Sequence, residues 1–538
     1  METKCNVTDH DRKWAERSAK ILLCLATFGA AVSWVFASGK ILPLCEPDRA
    51  DVYYCFFAWY EFWPSLMTAV LALASVHFIS KGNGRLELNR LQVGLLSLVV
   101  AIFCRWGTSA IYLKYPLSQD EYAAFFQARI FASGHFFSVI PEHLRWLRDA
   151  PVSVFLIFDP VQYTISQPYL PVYSLLLLLA GWLGDPWLLN PLLSAACVVL
   201  IYQVARQQRV STSYGAIAVV FLATSVQFLI TGLSGYSMTS HLFFSLCWLW
   251  LYSHSNKRFY YAAPLLGALA IGLHQPVCHL LFVAPFLVRL VRDKRYVAFL
   301  YSVIVYGGAG LFWLGWMHLM RPQVNSDTVH MFGFPPFGMF CLQGINSVLT
   351  MNWQNFAMAF CFVCATGLVR EFPTFVSDLF YGIVLTFVFY CFFLSDQGHG
   401  WGYRYLFPVY GNLCLVAAWA AVHLSISRTW ILAMAGVALF VQLPLRAAEV
   451  RREVGRMATA YRDLRAIKAD YVVVDTLQGW YSMDLVRNDP WMSQAPLFLY
   501  SLRVSPEMLE RLKKEGITVT ISHEEFRRLN IRTADSPR

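Results

Sequence analysis

The chain has 538 residues, of which 57% are hydrophobic and 14% charged, with a formal net charge of +10 and a mean hydropathy of +0.47. Soluble globular chains carry about 25% charged residues, and only a bilayer demands repeated apolar stretches of about 20 residues, so a soluble protein is excluded. The positive charge does not point to nucleic acid, because many of the Lys and Arg residues sit in short gaps between apolar stretches, as the positive-inside bias predicts.

The hydropathy pattern predicts membrane spans at 20–38, 63–80, 92–113, 187–206, 213–232, 237–254, 258–273, 276–292, 296–318, 355–370, 374–394, 403–424 and 428–446, about 13 in all. The first is preceded by mixed charges and lacks a clear small-residue cleavage site, so it reads as a mature span. Most cysteines lie in apolar stretches, where they act as small hydrophobes. Cys45 and Cys55 instead share one loop, either as free thiols or, on an oxidising side, as a disulfide.

Basic gaps set the orientation. Arg12, Lys13, Arg17, Lys81, Arg85, Arg206, Arg209, Lys257, Arg258, Arg289 and Arg292 all become cytoplasmic under one assignment. That assignment requires that the apolar stretch 168–186 not complete a normal crossing, and its Pro168, Pro171, Gly181, Gly184 and Pro186 suit a broken or interfacial segment. One non-cytoplasmic face then gathers the 114–167 loop, the His274-Gln275 turn, the loops 319–354 and 395–402, and the tail.

Three parts follow: an N-terminal extension 1–91 with two extra spans, a membrane module 92–446, and a charged tail 447–538. The tail reads as a small α/β unit. Residues 471–474 are a β-rich run, Ser505-Pro506 fits the start of a helix that Gly516 closes, 517–521 is a second strand, and Ser522-x-x-Glu525 is a capping box. It carries no catalytic motif; a structural role and an acceptor-contacting role are both open.

Residues able to do chemistry cluster on the non-cytoplasmic face. Asp120 and Glu121 open an amphipathic interfacial helix with Tyr122, Phe125, Phe126, Arg129 and Ile130. Two acids in a first turn are favoured by the helix dipole alone; alternatively one is a general base for an acceptor hydroxyl. The long loop continues through Glu142, His143 and Asp159. In the segment 395–405, Arg404 is either a snorkelling arginine in an aromatic belt of Trp401, Tyr403 and Tyr405, or a phosphate clamp. His399 and Asp396 either assist it or are solvated loop residues. His274 and Gln275 mark a site or a helix–helix hydrogen bond, and Arg105, inside a span, calls for a structural ion pair in the bundle interior. No spacing resembles a helical zinc motif, and no Gly-rich phosphate cradle is present. The reading is therefore of chemistry without metal or cofactor, and of an activated group carried by lipid rather than by a nucleotide.

The run D-E-Y-A-A-F-F-Q-A-R-I-F-A-S-G-H from Asp120 resembles the first large loop of GT-C glycosyltransferases, especially the protein O-mannosyltransferase and aminoarabinose transferase superfamily, akin to glycosyltransferase family 39. The run Q-P-Y-L-P-V-Y-S-L-L-L-L-L-A-G-W-L-G from Gln167 resembles that family's next segment, and G-W-G-Y-R-Y-L-F-P around Arg404 a late one. Motif order is preserved over roughly 92–425. Two departures stand out: two spans precede the catalytic loop, and Gln167 stands where the family often has a basic residue.

The resemblance implies an all-α GT-C-like membrane bundle with a small C-terminal α/β unit, and a metal-independent inverting hexosyl or pentosyl transfer from a polyprenyl-phosphate sugar. Asp120 matches the family's catalytic position, with Glu121 beside it. Arg404, Tyr403, His399, Arg129, His274, Gln275 and Asp159 are the expected substrate-binding residues. The expected partners are the lipid-linked donor, a lipid, glycan or protein acceptor, and membrane lipids, with no nucleic acid. The expected location is a bacterial inner membrane with the site facing the periplasm. The rival readings are a lipid-linked-sugar flippase and an O-antigen ligase or polymerase.

Overall fold

The computed structural model describes residues 9–38, 52–75, 86–320, 332–334, 337–394, 397–476 and 481–529. It is a helical bundle whose longest helices are apolar. Seven of them have the length and composition to cross a membrane, or eight if the bent pair Thr212–Ala223 and Val226–Gly232 is one span. Leu91, Leu95, Leu98, Ile102 and Trp106 leave an exposed apolar stripe on Arg90–Ala110, and Tyr296–Met320 exposes Val297, Leu300, Ile304 and Leu311. Such belts are stable only against lipid, so the protein is an integral, multi-pass membrane protein.

The thirteen predicted spans are not all reproduced at full length. Phe62–Ser75 has 14 residues, Met238–Tyr252 and Lys257–Ile271 have 15 each, Pro276–Arg292 has 17 and Phe356–Thr366 has 11. Hydropathy averages over helix ends, whereas Asn256 and Asn355 cap their helices through side-chain bonds to Arg258 and Ala357 and so fix where they start. The stretch 168–186 forms Val172–Trp182, 11 residues long, about 16 Å at 1.5 Å per residue and too short to span. The kink of 60° between Thr212–Ala223 and Val226–Gly232 is sealed by protein. Ser225 caps the second half, and the Gln227 amide donates to the Trp353 carbonyl at 2.9 Å.

Segment 319–354 is not the plain loop expected. It contains the helix Phe337–Asn352, whose polar residues face protein: Gln343 donates to the Tyr390 carbonyl at 3.0 Å and Asn352 to Glu61 at 2.9 Å. Those amides lower the apparent hydropathy, which is why the sequence hides the helix. The N-terminal helix Asp9–Ser38 docks on the bundle where Trp14 donates to the Cys364 carbonyl at 2.9 Å and lies over Gly367, at which any Cβ would collide with the indole. Cys361 and Cys364 make a Cys-x-x-Cys step, both thiols free and buried. Cys55 is disulfide-bonded; Cys45 lies outside the described residues.

Arg404–His423 is the centre of the bundle and is almost wholly buried. Gly411, Ala417, Ala418, Ala420 and Ala421 make that possible, since small residues let backbones approach. A Cβ at Gly411 would stand 2.7 Å from Leu246.

The last span does not stop at 446. Through a π-helical turn at Ala438–Gln442 it runs on as Leu443–Arg465 into the tail. The tail holds the two expected strands, Tyr471–Val474 and Thr518–Ile521, and a third, Leu497–Tyr500, in a parallel sheet with Tyr471–Val474 in the middle. Ser505 caps Pro506–Glu515 as expected. Gly516 is not in the left-handed region; it is extended, and a Cβ there would strike Asp470 at 2.5 Å.

One face of this sheet supplies Val473, Leu497 and Leu499 to a core shared with Tyr122, Phe126, Ile130, Ile140, Leu144 and Leu147 of the long loop. The tail and the loop therefore fold as one layer over the membrane module.

Candidate active site

The helix Gln119–Ala132 carries both acids. Ser118 and Glu121 form a reciprocal capping box: the Glu121 amide donates to Ser118 Oγ at 3.3 Å, and the Ser118 amide donates to Glu121 Oε2 at 3.1 Å. The pattern Ser-x-x-Glu was legible in the sequence and is the signal that fixes where this helix begins. The helix does not show the water-exposed polar face expected of an amphipathic segment: almost every residue from Gln119 to Ile130 is buried, because the tail covers the face that would have met water. Arg487 of the tail lies between the rings of Tyr115 and Tyr122, 4.6 and 5.3 Å from their centres, and donates to the carbonyls of Pro116 and Leu117. Asn488 accepts from Tyr122 and donates to Pro151 at 2.7 Å.

Asp120 and Glu121 point to different work. The Asp120 carboxylate pairs with Arg404, Nη1 to Oδ2 at 2.8 Å, and accepts a short hydrogen bond from Tyr169. Burial pushes the Asp120 carboxyl up, but Arg404 and Tyr169 outweigh it and hold it below the ordinary carboxylate range. Tyr169 stacks on His274 with ring centres 3.8 Å apart. The Val172 amide sets that stack by donating to the Gly272 carbonyl at 2.9 Å. Burial pushes the His274 imidazole down to about 4, so it is neutral at pH 7. Gln275, next to it, begins Pro276–Arg292 without a side-chain cap.

Glu121 is 1% exposed and serves position. It accepts from Tyr112 at 3.0 Å, from Ser118, and from the Gly235 amide at 2.7 Å. That last bond holds the turn whose next residue, Tyr236, presents its ring 5.3 Å beneath the Arg404 guanidinium. Burial pushes Glu121 up to about 7 against these donors, from an ordinary value of 4.5. Its folded form therefore keeps a proton that the unfolded chain has lost. Stability falls as pH rises from 4.5 through 7 and is level above, by about 3 kcal/mol from this group. Glu121→Gln should flatten the dependence of the thermal midpoint on pH across that window.

Arg404 is 9% exposed. Its amide and Nη2 donate to Gln397, and its Nε has no hydrogen-bond partner among the described residues. A buried guanidinium with one N–H unspent, at the mouth of the central helix, is equipped to take an oxyanion. Tyr403 precedes it, 2% exposed, its hydroxyl without a hydrogen-bond partner among the described residues.

The structure does not bring the other expected residues to Asp120. Arg129 is exposed near the far end of its helix. Asp159 is 5% exposed and accepts from the Val161 and Gln162 amides, which makes it the closing residue of a strand turn. His399 lies 3.1 Å from Asp484 of the tail and against Tyr481; Asp396 lies outside the described residues. Arg105 pairs with Asp185 at 3.1 Å but is 37% exposed rather than interior. Tyr169, Gln397 and Tyr236 were not singled out from the sequence; Tyr169 lay within Q-P-Y-L-P, between two prolines that hold the chain extended there.

Among the described residues, one group of His, Asp and Glu side chains has metal-ligating spacing: Asp11, Glu371 and His423, with ligand atoms within 4.8 Å of one another. It stands at the other end of the helix Arg404–His423, about 30 Å from the site by helix rise.

No protein-family model matches the chain, and no curated protein matches it. Among solved structures it is similar to ArnT from Cupriavidus metallidurans bound to undecaprenyl phosphate, at 14% identity and a TM-score of 0.50, over 81% of this chain and 90% of that one. The same ArnT in the apo state gives 11% identity and a TM-score of 0.49, over 73% and 83%. With the helical bundle, the small three-stranded sheets and the first of these likenesses, the chain has the ArnT-like, GT-C glycosyltransferase fold.

Proposed function

We propose that the protein is a glycosyltransferase that moves a sugar from a polyprenyl-phosphate donor to an acceptor on the non-cytoplasmic side of the membrane, without metal. The observation that carries this reading is the buried Asp120–Arg404 pair, at the end of an almost wholly buried apolar helix and within the fold of a protein whose structure holds undecaprenyl phosphate. An arginine whose Nε is unpartnered among the described residues, beside a carboxylate, offers the two groups that displacement at a sugar phosphate needs.

In this mechanism the donor phosphate takes Arg404 from Asp120. The released carboxylate accepts the proton of an acceptor hydroxyl as that oxygen forms its bond to the sugar carbon. The bond from that carbon to the phosphate oxygen breaks, the electron pair leaves on the phosphate, and the carbon is inverted. Arg404 neutralises the departing charge. Tyr169, which donates to Asp120 at rest, then steadies the carboxylate, and neutral His274 supplies the surface on which that phenol stacks.

The test is transfer by purified protein from a polyprenyl-phosphate sugar, with Arg404→Lys as the comparison. A lysine keeps the charge but loses the fork that spans carboxylate and phosphate. The expected result is a rise in donor KM of about 10-fold or more, the scale of one charge-assisted hydrogen bond. Unchanged donor KM would remove Arg404 from phosphate recognition. A flippase would instead place its polar groups at the bilayer midplane on open broken helices, whereas the break here is closed by Trp353.

A further inference from the structure

Arg404 is seated by the segment just before it. Gln397 closes that segment into a ring: its Nε2 donates to the Gly402 carbonyl at 2.7 Å, its Oε1 accepts from the Arg404 amide at 2.8 Å, and its carbonyl accepts from Arg404 Nη2. Gly402 sits in the left-handed region, at φ +67°. Gly400 leaves room for the arginine, since a Cβ there would stand 3.0 Å from Arg404 Cδ. Glycine has the most backbone freedom to lose, so a ring with two of them needs support from outside to keep one shape.

Gln227 supplies it. Its side chain lies against Gly402, where a Cβ would stand 2.7 Å from Gln227 Cδ and 2.9 Å from its Nε2. Gln227 is 2% exposed and belongs to Val226–Gly232, the second half of the broken span. It is fixed at both ends. Its backbone amide donates to the Trp353 carbonyl at 2.9 Å, and its Oε1 accepts from Gln354 at 2.7 Å. Gln354 accepts in turn from Ser225 at 2.7 Å and from Tyr410, at the start of the helix that follows Arg404. Gln227 Nε2 has no acceptor among the described residues. A buried donor without a partner costs stability, a cost that a leucine filling the same place would avoid.

We propose that Gln227 is a positioning residue for Arg404. It wedges Gly402 in its left-handed turn, Gln397 is held by Gly402, and Arg404 is held by Gln397. Without the wedge Gly402 relaxes, Gln397 loses the carbonyl it grips, and the guanidinium no longer waits in one place for a phosphate. The inference rests on the glycosyltransferase reading for the word donor, and on the geometry of the segment alone for the positioning.

Two measurements test it on the full chain in phosphatidylcholine nanodiscs. The first is amide hydrogen exchange at Arg404 without donor. Gln227→Ala should speed it about 3–10-fold, the scale of one hydrogen bond, and leave the strand Tyr471–Val474 at its native rate. The second is donor KM in sugar transfer. Gln227→Ala should raise it about 3–10-fold. In an Arg404→Lys background the same change should shift it less than about 2-fold, because a residue that acts through Arg404 has nothing left to position. Gly402→Ala loads the contact from the other side and should also raise KM, since alanine is strained in a left-handed turn and its methyl meets Gln227. Adding Gln227→Ala to it should recover part of that rise.

Native exchange at Arg404 in Gln227→Ala, or faster exchange shared equally by the strand Tyr471–Val474, would overturn the proposal. So would an equal KM shift in the native and Arg404→Lys backgrounds. Faster exchange confined to the Arg404 segment, in a protein that transfers no sugar from any polyprenyl-phosphate donor, would leave the positioning standing and remove the glycosyltransferase reading instead.

Discussion

Asp120→Asn should lower sugar transfer by about 10²–10⁴-fold, the range for loss of a general base, at matched expression and with donor binding retained. Asparagine is close in shape and can still accept from Tyr169, so the fold should persist. It carries no charge, so it can neither hold Arg404 as a salt bridge nor take a proton. Donor affinity should stay level or rise, because Arg404 no longer has to leave a carboxylate to reach phosphate. That pairing of lower turnover with undiminished donor binding is what a purely structural aspartate would not produce. The measurement is turnover in membranes alongside equilibrium binding of the polyprenyl phosphate. An unchanged rate would take Asp120 out of the mechanism and shift attention to Glu121.

Acid should act on the same pair in a defined direction. The carboxyl of Asp120 is held below the ordinary range, so the stability of its pairing with Arg404 is present above the unfolded value, near 3.8. It is lost only as pH falls through the lower folded value. The falling stability between pH 4.5 and 7 belongs to Glu121, which separates the two neighbours by titration alone.

Glu61→Leu should cost about 3–5 kcal/mol, the scale for stranding a buried charge. Glu61 sits between the helices Val52–Tyr60 and Phe62–Ser75 and is 2% exposed. Its partner Arg446 is held over Trp353, 4.3 Å from the ring centre. Removing Glu61 leaves Arg446 with Glu449 and the Tyr60 carbonyl, and leaves the Trp353 indole N–H and one amide hydrogen of Asn352 without their acceptor, the Ser65 hydroxyl remaining to Asn352. The double change Glu61→Leu with Arg446→Leu should recover more than half of the loss, because the desolvation cost of the arginine disappears with it. Unfolding midpoints in mixed micelles would read both. A single substitution without effect would show that the ion pair does not tie the helices Val52–Tyr60 and Phe62–Ser75 to the bundle.

The two acids show where sequence reading stops. Both stood in a first turn, where dipole, cap and catalysis all favour acids, so their spacing could not separate the roles. The capping box decides locally: Glu121, three residues after Ser118, turns back to the start of the helix, and Asp120 points away. What Asp120 meets is set by chain 49 residues later at Tyr169 and by Arg404 far beyond it. Arg129 and Asp159 shared the loop with Asp120 in sequence but not in space: one is exposed near the far end of the helix and the other closes a strand turn. His399 was near Arg404 in sequence, yet its ring turns to Asp484 in the tail.

By itself the sequence determined the membrane class, the apolar helices, the α/β character of the tail and the motif order resembling GT-C enzymes. These follow from composition and from local rules: hydropathy over one helix length, proline and glycine at ends, side chains that cap the next turn. Only the tertiary structure decided that the tail closes over the Gln119–Ala132 helix, that Phe337–Asn352 is a helix held by buried amides, and that Asp120, Tyr169, His274 and Arg404 meet. Those outcomes depend on which surfaces bury one another, and burial between distant segments leaves no period in the sequence from which to read it.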